Sequence, residues 1–431
     1  MNARDIFRQL VVWVLTKEAR LVLAKYKARV VVVTGSVGKT STKDALYAAL
    51  KTHTFVRKSE KSYNSDIGVP LTVLGVPNGW GNAWRWVKNV IEGALLMLMT
   101  TPYPRWLVIE LGADRPGDIS RTLRWVVPDV VVCTTFPSVP VHVEFYESPQ
   151  AVVAEEMFPV QQLRPGGVAV LNADDLAQRS LAVPDGVRVV TYGFAKGATV
   201  RGSRYHVSKK NGLATGITFD VHYDEASVSV QIPGVIGKTH AMAVLAGIAG
   251  AVAAGAPFEK MGEIGGAYEA PPGRLHLVPG RDGSLILDDT YNASPRAAEE
   301  ALAALTNATH AGKRIAVLGD MLELGKYSAE AHEQVGALVP ASADLLVTVG
   351  VRARGIAAGA LKSGLPETSI VQFERGSDAA DYLLKEIKKG DVILIKGSQG
   401  MRLERVVAAL MKDPADAPRL LARQDPEWLM R

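Results

Sequence analysis

Apolar and polar positions break the chain into alternating strands and helices. Residues 29–34 form a short β-branched block that stops at Gly35-Ser36-Val37-Gly38-Lys39-Thr40, and a helical pattern then continues through Lys51. Further β-rich runs fall at 106–111, 130–134 and 167–172, with helical stretches such as 147–162 between them. This alternation predicts an α/β fold whose mostly parallel sheet is covered on both faces. Over 199–232 the texture changes to strict alternation, with Ile217, Phe219 and Val221 followed by Val228, Val230 and Ile232, which predicts a small antiparallel excursion. A small-residue helix is expected over 239–254, and Ala270-Pro271-Pro272-Gly273 reads as a hinge.

Beyond the hinge, strands at 284–288, 314–318, 345–349 and 392–396 alternate with helices at 295–306, 329–338, 353–362 and 377–388. This predicts a second, Rossmann-like α/β unit. The expected division is an amphipathic helical extension over 1–28, a central phosphate-loop domain over 29–270, a C-terminal α/β domain over 271–412 and a tail of low periodicity over 413–431.

Composition changes this picture little. The chain has 431 residues, 48% hydrophobic and 22% charged, which suits several packed cores and excludes wholesale disorder. A single cysteine, Cys133, allows no internal disulfide and no cysteine framework for zinc or iron–sulfur clusters, in keeping with a reducing cytosol. With 49 Lys+Arg against 44 Asp+Glu, the net charge of +5 is too small to point to nucleic acid. No apolar run reaches the roughly 18 residues of a membrane span. The run at 90–99 is flanked by Trp80, Trp84, Trp86 and Lys88 before it and by Tyr103 and Trp106 after it. Such flanks suit an interfacial helix, and equally a helix packed on its own domain.

The glycine loop carries the chemistry. Glycines let backbone N–H groups turn inward around phosphate oxygens at the positive end of the next helix, Lys39 is placed to contact the terminal phosphates, and the Thr40 hydroxyl is placed for Mg²⁺. Position 33, where the usual spacing has another glycine, is Val33, so the loop is a shortened variant. Glu110, at the end of an apolar strand, stands where ligands of open parallel sheets bind, and a carboxylate there either holds Mg²⁺ or is simply solvated. His142 follows the next strand and has the same two readings.

These residues sit inside longer motifs. The run from Val31 to Leu74, with Tyr63-Asn64-Ser65-Asp66-Ile67-Gly68-Val69-Pro70-Leu71-Thr72, together with Glu110-Leu111-Gly112-Ala113, resembles the central domain of the Mur ligases. Pro272-Gly273-Arg274-Leu275, the segments 288–295 and 317–325, and the segment from Ile395 to Glu404 resemble the branch of that family that adds D-Ala-D-Ala to UDP-MurNAc-tripeptide. The likeness covers residues 29–412.

The resemblance implies a cytosolic ATP- and Mg²⁺-dependent amide ligase of peptidoglycan precursor synthesis, which phosphorylates an acceptor carboxylate and lets an amine attack the acyl phosphate. It implies that Gly35, Ser36, Val37, Gly38, Lys39, Thr40 and Ser41 cradle phosphate with Asn64 nearby, that Thr40 and Glu110 hold one Mg²⁺, and that His142 helps hold a second. Arg274 and Asp289 are expected to reach the nucleotide when the domains close. Tyr291, Asn292, Ser294, Lys396 and Ser398 are expected to face the incoming D-Ala-D-Ala.

Three departures from the family pattern stand out. Glu156 occupies the position where the family often carries a carbamylated lysine, and is expected to supply that metal-site charge directly. His240, in Gly237-Lys238-Thr239-His240, falls where an Asn usually faces the adenine; a base contact and a packing role are both open. The family's N-terminal UDP-binding domain has no counterpart: the first 28 residues suggest one helix with Leu10, Trp13, Leu21 and Leu23 among basic residues. Either the muramoyl-peptide acceptor is held through its peptide, or a partner or membrane surface supplies the grip, with this helix and the segment 84–99 as a lipid-facing platform. A folylpolyglutamate-type ligase with a non-UDP acceptor and a non-catalytic nucleotide-binding scaffold remain as alternatives; the intact Lys39, Thr40, Glu110 and His142 argue against the scaffold.

Overall fold

Four consecutive valines, 30 to 33, bury strand β1 (Arg29–Thr34) on both faces, which only the interior of a covered sheet allows. The computed structural model, which describes residues 3–60, 66–210, 212–308, 311–425 and 428, places β1 third in a nine-stranded sheet, with strands on both sides. Its members are β2 (Val56–Lys58), β3 (Trp106–Glu110), β4 (Val130–Cys133), β5 (Val168–Asn172), β6 (Arg188–Gly193), β7 (Val200–Lys210), β8 (Leu213–Tyr223) and β9 (Ala226–Pro233). The order is β2-β3-β1-β4-β5-β6-β7-β8-β9, parallel as far as β7 and antiparallel beyond. The alternating segment is therefore not a separate excursion. It extends the main sheet, because β7 pairs in parallel with β6 through Tyr192 and Gly193.

One face of this sheet is covered by the helices Lys39–Lys51 and Lys238–Ala253, whose small residues let them approach closely. A Cβ on Gly247 would lie 2.7 Å from the Leu46 amide nitrogen. The other face carries the N-terminal helix Ala3–Tyr26 together with Gly68–Leu74, Ala83–Leu98 and Pro149–Gln161.

A six-stranded sheet follows, in the order β10-β11-β15-β12-β13-β14: β10 (His276–Pro279), β11 (Leu285–Asp289), β12 (Arg314–Gly319), β13 (Leu345–Val349), β14 (Ile370–Phe373) and β15 (Val392–Lys396). All pairs are parallel except β10 with β11. The strands that the apolar pattern did not mark, β2, β6, β10 and β14, are short or partly exposed, so no continuous apolar run announces them.

Both terminal segments pack on the units that they flank. The N-terminal helix docks by Val11, Leu15, Ala19 and Val22, spaced to form one stripe, while Leu10, Trp13 and Leu21 point outward and Leu23 is half-buried. Lys25 Nζ donates to the carbonyls of Leu96, Met97 and Met99 at 3.1, 3.0 and 2.5 Å, capping the neighbouring helix Ala83–Leu98. At the other end, the segment read as a tail is packed: Leu421, Ala422 and Arg423 are buried against the C-terminal unit. Among the described residues no helix is long and apolar enough to cross a membrane.

Candidate active site

The site forms at the C-terminal ends of β3, β1 and β4, where the strand order reverses around β1. Gly35 leaves β1 at φ 121°, and a Cβ there would stand 2.2 Å from Thr134 Oγ1; Gly38, at φ 91°, caps the helix that begins at Lys39. Both positions need glycine. The Ser36 and Val37 amides donate to the Thr135 carbonyl, which ties the loop to the extension of β4. Ser41 is buried behind it.

Lys39 lies back along the loop, its Nζ donating to the Gly35 carbonyl at 2.5 Å and standing 3.7 Å from Glu156 Oε1. Thr40 Oγ1 donates to Glu110 Oε1 at 3.1 Å. Glu110 Oε2 is buried without a hydrogen bond among the described residues, with the Lys43 ammonium 3.7 Å away as its nearby countercharge. A buried hydroxyl–carboxylate pair with one orphaned oxygen fits a hard dication that takes its remaining ligands from phosphate and water. Among the described residues no three His, Cys, Asp or Glu side chains converge on a metal position.

Of the four residues expected at metal, Thr40 and Glu110 thus touch each other, and the other two hold different contacts. Glu156, buried on the helix Pro149–Gln161, accepts from Ser36 Oγ at 2.5 Å, and its carbonyl accepts from Thr34 Oγ1 at 2.6 Å. Burial pushes its carboxyl upward, while the Lys39 charge and the Ser36 bond pull it back. His142, at φ 65°, has Nδ1 2.8 Å from Glu323 Oε2 and Nε2 3.5 Å from Asp114 Oδ1. Burial lowers its pKa, but the Glu323 bond and the Asp114 charge outweigh it and hold the imidazole above its usual value.

Two clefts share Val37 and Gly38. One, of about 730 Å³, is lined by Thr134, Asn172, Lys238, Thr239 and Met242 and closed by Glu299 of the helix Pro295–Asn307. The other, of about 840 Å³, contains Lys39, Thr40, Glu110 and His142 and is faced from the C-terminal unit by Tyr291, Asn292, Ser294 and Ser398, with Arg274 at the junction. The loop therefore lies between a cleft with room for a nucleoside and a cleft that holds the polar groups.

Three expected contacts fall elsewhere. His240 is buried: its Nε2 donates to the Arg274 carbonyl at 2.6 Å, and Nδ1 accepts from Tyr268 Oη at 3.3 Å. Burial pushes its pKa down to about 3, so it is a neutral strut between Tyr268 and the Arg274 backbone, the packing role of the two readings left open above. Asp289 and Lys396 pair with each other at 2.6 Å, and Lys396 also donates to the Asn292 carbonyl at 2.9 Å; neither lines a cleft. Burial raises the first and lowers the second, each opposed by the partner's charge. They hold in place the turn that presents Tyr291, Asn292 and Ser294. Asn64 lies outside the described residues.

The cleft also contains Asp114, Glu323, Arg402 and Trp428, to which the sequence motifs assigned no role. Glu323 and Arg402 lie inside quoted motifs and Asp114 directly follows one, so their place was legible; Trp428 lies in the aperiodic tail and had no signal.

Comparison with known proteins agrees with this geometry. Residues 33–84 and 87–251 match the Mur ligase middle domain, and 273–399 match the Mur ligase glutamate ligase domain. The chain is 30% identical over 398 residues to UDP-N-acetylmuramoyl-tripeptide–D-alanyl-D-alanine ligase of Bacillus subtilis, covering 92% of this chain and 79% of that protein. It is 28% identical to the Escherichia coli enzyme of the same name, covering 96% and 81%. The crystal structure of MurF ligase from Thermotoga maritima in complex with ADP superposes with a TM-score of 0.74 at 27% identity, covering 92% of this chain and 83% of that one. With its loop, its paired clefts and both family domains in order, the chain belongs to the Mur ligase family.

Proposed function

We propose that this chain joins D-Ala-D-Ala to UDP-MurNAc-tripeptide, using ATP and Mg²⁺ to activate the tripeptide carboxylate as an acyl phosphate. The observation that carries the reading is the phosphate loop lying between two clefts, one with room for a nucleoside and one with Lys39, Thr40 and Glu110 facing a second α/β unit. The 30% identity to the Bacillus subtilis ligase over most of the chain supports the same substrate pair. On this reading residues 29–270 bind ATP and 271–412 bring the amine.

A carboxylate is a poor electrophile, and transfer of a phosphoryl group to its oxygen supplies the missing leaving group. Lys39 lies at the loop, where it swings from the Gly35 carbonyl to the terminal phosphates. Thr40 and Glu110 are the residues that would hold Mg²⁺, which would supply charge neutralisation at the phosphates. Glu156 fixes Ser36 and Lys39 from behind and keeps a carboxylate at the loop without CO₂. His142 and Arg274 stand on either side of the polar cleft, and the turn with Tyr291, Asn292 and Ser294 brings the dipeptide amine to the activated carbonyl. Closing the C-terminal unit over this cleft excludes water, which would otherwise hydrolyse the acyl phosphate.

The test is phosphate release from ATP and Mg²⁺ with D-Ala-D-Ala and UDP-MurNAc-tripeptide, each omitted in turn, with product read by mass. Product that needs both supports the assignment. Turnover only with a free or lipid-linked tripeptide retains the ligase and removes the UDP-linked acceptor; no acceptor-dependent ADP removes catalysis itself.

One further surface bears on where the reaction runs. Trp84, Val87, Ile91, Leu95 and Leu98 form an exposed apolar stripe along Ala83–Leu98, beside the exposed Leu10, Trp13 and Leu21 and near Lys17, Arg85 and Lys88. This combination supports peripheral contact with an anionic membrane face. Failure of the full chain to co-sediment with anionic vesicles at low salt would overturn that contact.

A further inference from the structure

Beyond the last residue of the matched family domain, 399, the described residues 413–425 pack on the C-terminal unit and Trp428 lines the polar cleft. Arg423 is buried behind the turn after β11 and donates to the Thr290 carbonyl at 3.1 Å, to the Tyr291 carbonyl, and to Glu404 Oε2 at 3.2 Å. It thereby holds the turn that presents Tyr291 and Asn292. Trp428 then stacks over the rim, with its ring 5.8 Å from the Arg423 guanidinium and 5.7 Å from that of Arg402. Tyr291 continues the ladder on the other side, 5.3 Å from Arg423 and 4.2 Å from Arg274. The result is a wall of alternating guanidinium and aromatic groups from the domain junction to the turn after β15.

Charge along this wall is unbalanced. Among the described residues Glu404 is the one carboxylate paired with Arg402 and Arg423, and the two share it: Arg402 donates Nε to Oε1 at 2.5 Å, while Arg423 donates to Oε2. That single bond fixes the Arg402 plane and leaves both of its Nη groups without a hydrogen bond among the described residues. Arg402 lines the cleft beside Ser398, with Trp428 against it. A fixed guanidinium with two parallel donors open to a cleft matches a carboxylate in bidentate geometry, and an adjacent indole screens that pair from water.

We infer that Arg402, held by Glu404 and covered by Trp428, binds the free carboxylate of the incoming amine substrate, and that the C-terminal segment is thereby a specificity element of the ligase. The inference rests on the ligase reading above. Its logic is that the amine and the carboxylate of the dipeptide lie at opposite ends: with the carboxylate anchored on the C-terminal unit, the amine points across the cleft toward the phosphate loop. A carboxamide in its place would leave the guanidinium unpaired.

The experiment compares D-Ala-D-Ala with its C-terminal carboxamide as substrates of the full chain at saturating ATP and acceptor, in wild type, Arg402→Met, Arg402→Lys and Trp428→Ala. A lost charge-assisted bidentate contact corresponds to about 30-fold in kcat/KM. Expected are a wild-type preference for the carboxylate of about that size, its collapse in Arg402→Met through KM for the dipeptide, partial retention in Arg402→Lys, and a smaller loss in Trp428→Ala. KM for ATP should stay within about twofold. Equal use of both substrate forms by the wild type, or a rise in KM for ATP matching that for the dipeptide, overturns the inference; the second outcome would mean that Arg402 serves a phosphate. Unfolding of Arg402→Met, seen as loss of its thermal transition, transfers the decision to Arg402→Lys and Trp428→Ala. If a different amino acid is the amine that turns over, the dipeptide assignment falls, and the same carboxylate–carboxamide comparison on that amino acid still decides the role of Arg402.

Discussion

His142 and Glu323 join the two α/β units directly: the imidazole Nδ1 lies 2.8 Å from Glu323 Oε2, and both residues hold left-handed backbone, at φ 65° and 63°. Two non-glycine residues in that region mark loops whose shape is set by the contact they make. Nearby, a Cβ on Gly325 would stand 3.0 Å from Glu144 Cβ, so the two loops are already as close as backbone permits. The contact fastens a loop after β12 to the edge of the polar cleft.

Removing that fastener should loosen the arrangement without unfolding either unit. Both side chains are partly exposed, so the pair is worth about 1 kcal/mol, or roughly fivefold in the balance between closed and open forms. Glu323→Ala should therefore give a larger radius of gyration by small-angle X-ray scattering in the absence of nucleotide, with an unchanged melting temperature. An unaltered scattering profile would show that the rest of the interface holds the units by itself.

Glu156 invites a sharper test because it is buried and its carboxylate meets Ser36 and Lys39 of the phosphate loop. Glu156→Gln keeps the volume and removes the charge that faces Lys39. Losing a buried charge placed to organise phosphate chemistry costs on the order of 100-fold in kcat. The expected result is that loss together with a changed Mg²⁺ dependence of ATP turnover; full activity with unchanged Mg²⁺ dependence would make Glu156 a packing residue.

His240 gives the opposite expectation. Since both ring nitrogens are used on Arg274 and Tyr268, His240→Ala should destabilise the fold by about 2 kcal/mol, through the unsatisfied Arg274 carbonyl and Tyr268 hydroxyl. The ratio of kcat/KM for ATP over GTP should stay near the wild-type value. A collapse of that ratio with unchanged stability would return His240 to the base site.

How much of this was legible in the sequence depended on whether the signal was local. β1, the glycine loop and the helix after it are contiguous and periodic, so strand, loop and helix followed from residues 29–51 alone. The pairings of Asp289 with Lys396 and of His240 with Arg274 join residues 107 and 34 positions apart, and no periodicity reports which polar side chain turns inward to meet another. The tail failed for a related reason. Leu421 and Ala422 are buried by position against a finished core, and too few residues take part to set up a repeat. The antiparallel strands were seen, but their membership of the main sheet depends on two paired positions between β6 and β7.

The N-terminal helix offers a pH-dependent prediction. Glu18 is buried against Gly93 of the helix Ala83–Leu98, with Oε2 lacking a hydrogen bond among the described residues, and burial raises its pKa from 4.5 to about 7. A carboxyl raised in the folded chain imposes no penalty below its unfolded pKa, where both states keep the proton. As pH climbs, the unfolded chain ionises first, so stability falls until the folded group ionises too and is then depressed by a constant amount. Because Glu18 lies on an outer helix with partial access to water, the depression should be about 1 kcal/mol, less than the full linkage value. Glu18→Gln should thus match the wild type in urea midpoint at pH 4.5 and exceed it at pH 8. Equal midpoints at pH 8 would mean that Glu18 reaches water in the folded state, and a lower midpoint for the variant at both pH values would mean that the carboxyl makes a bond the glutamine cannot replace.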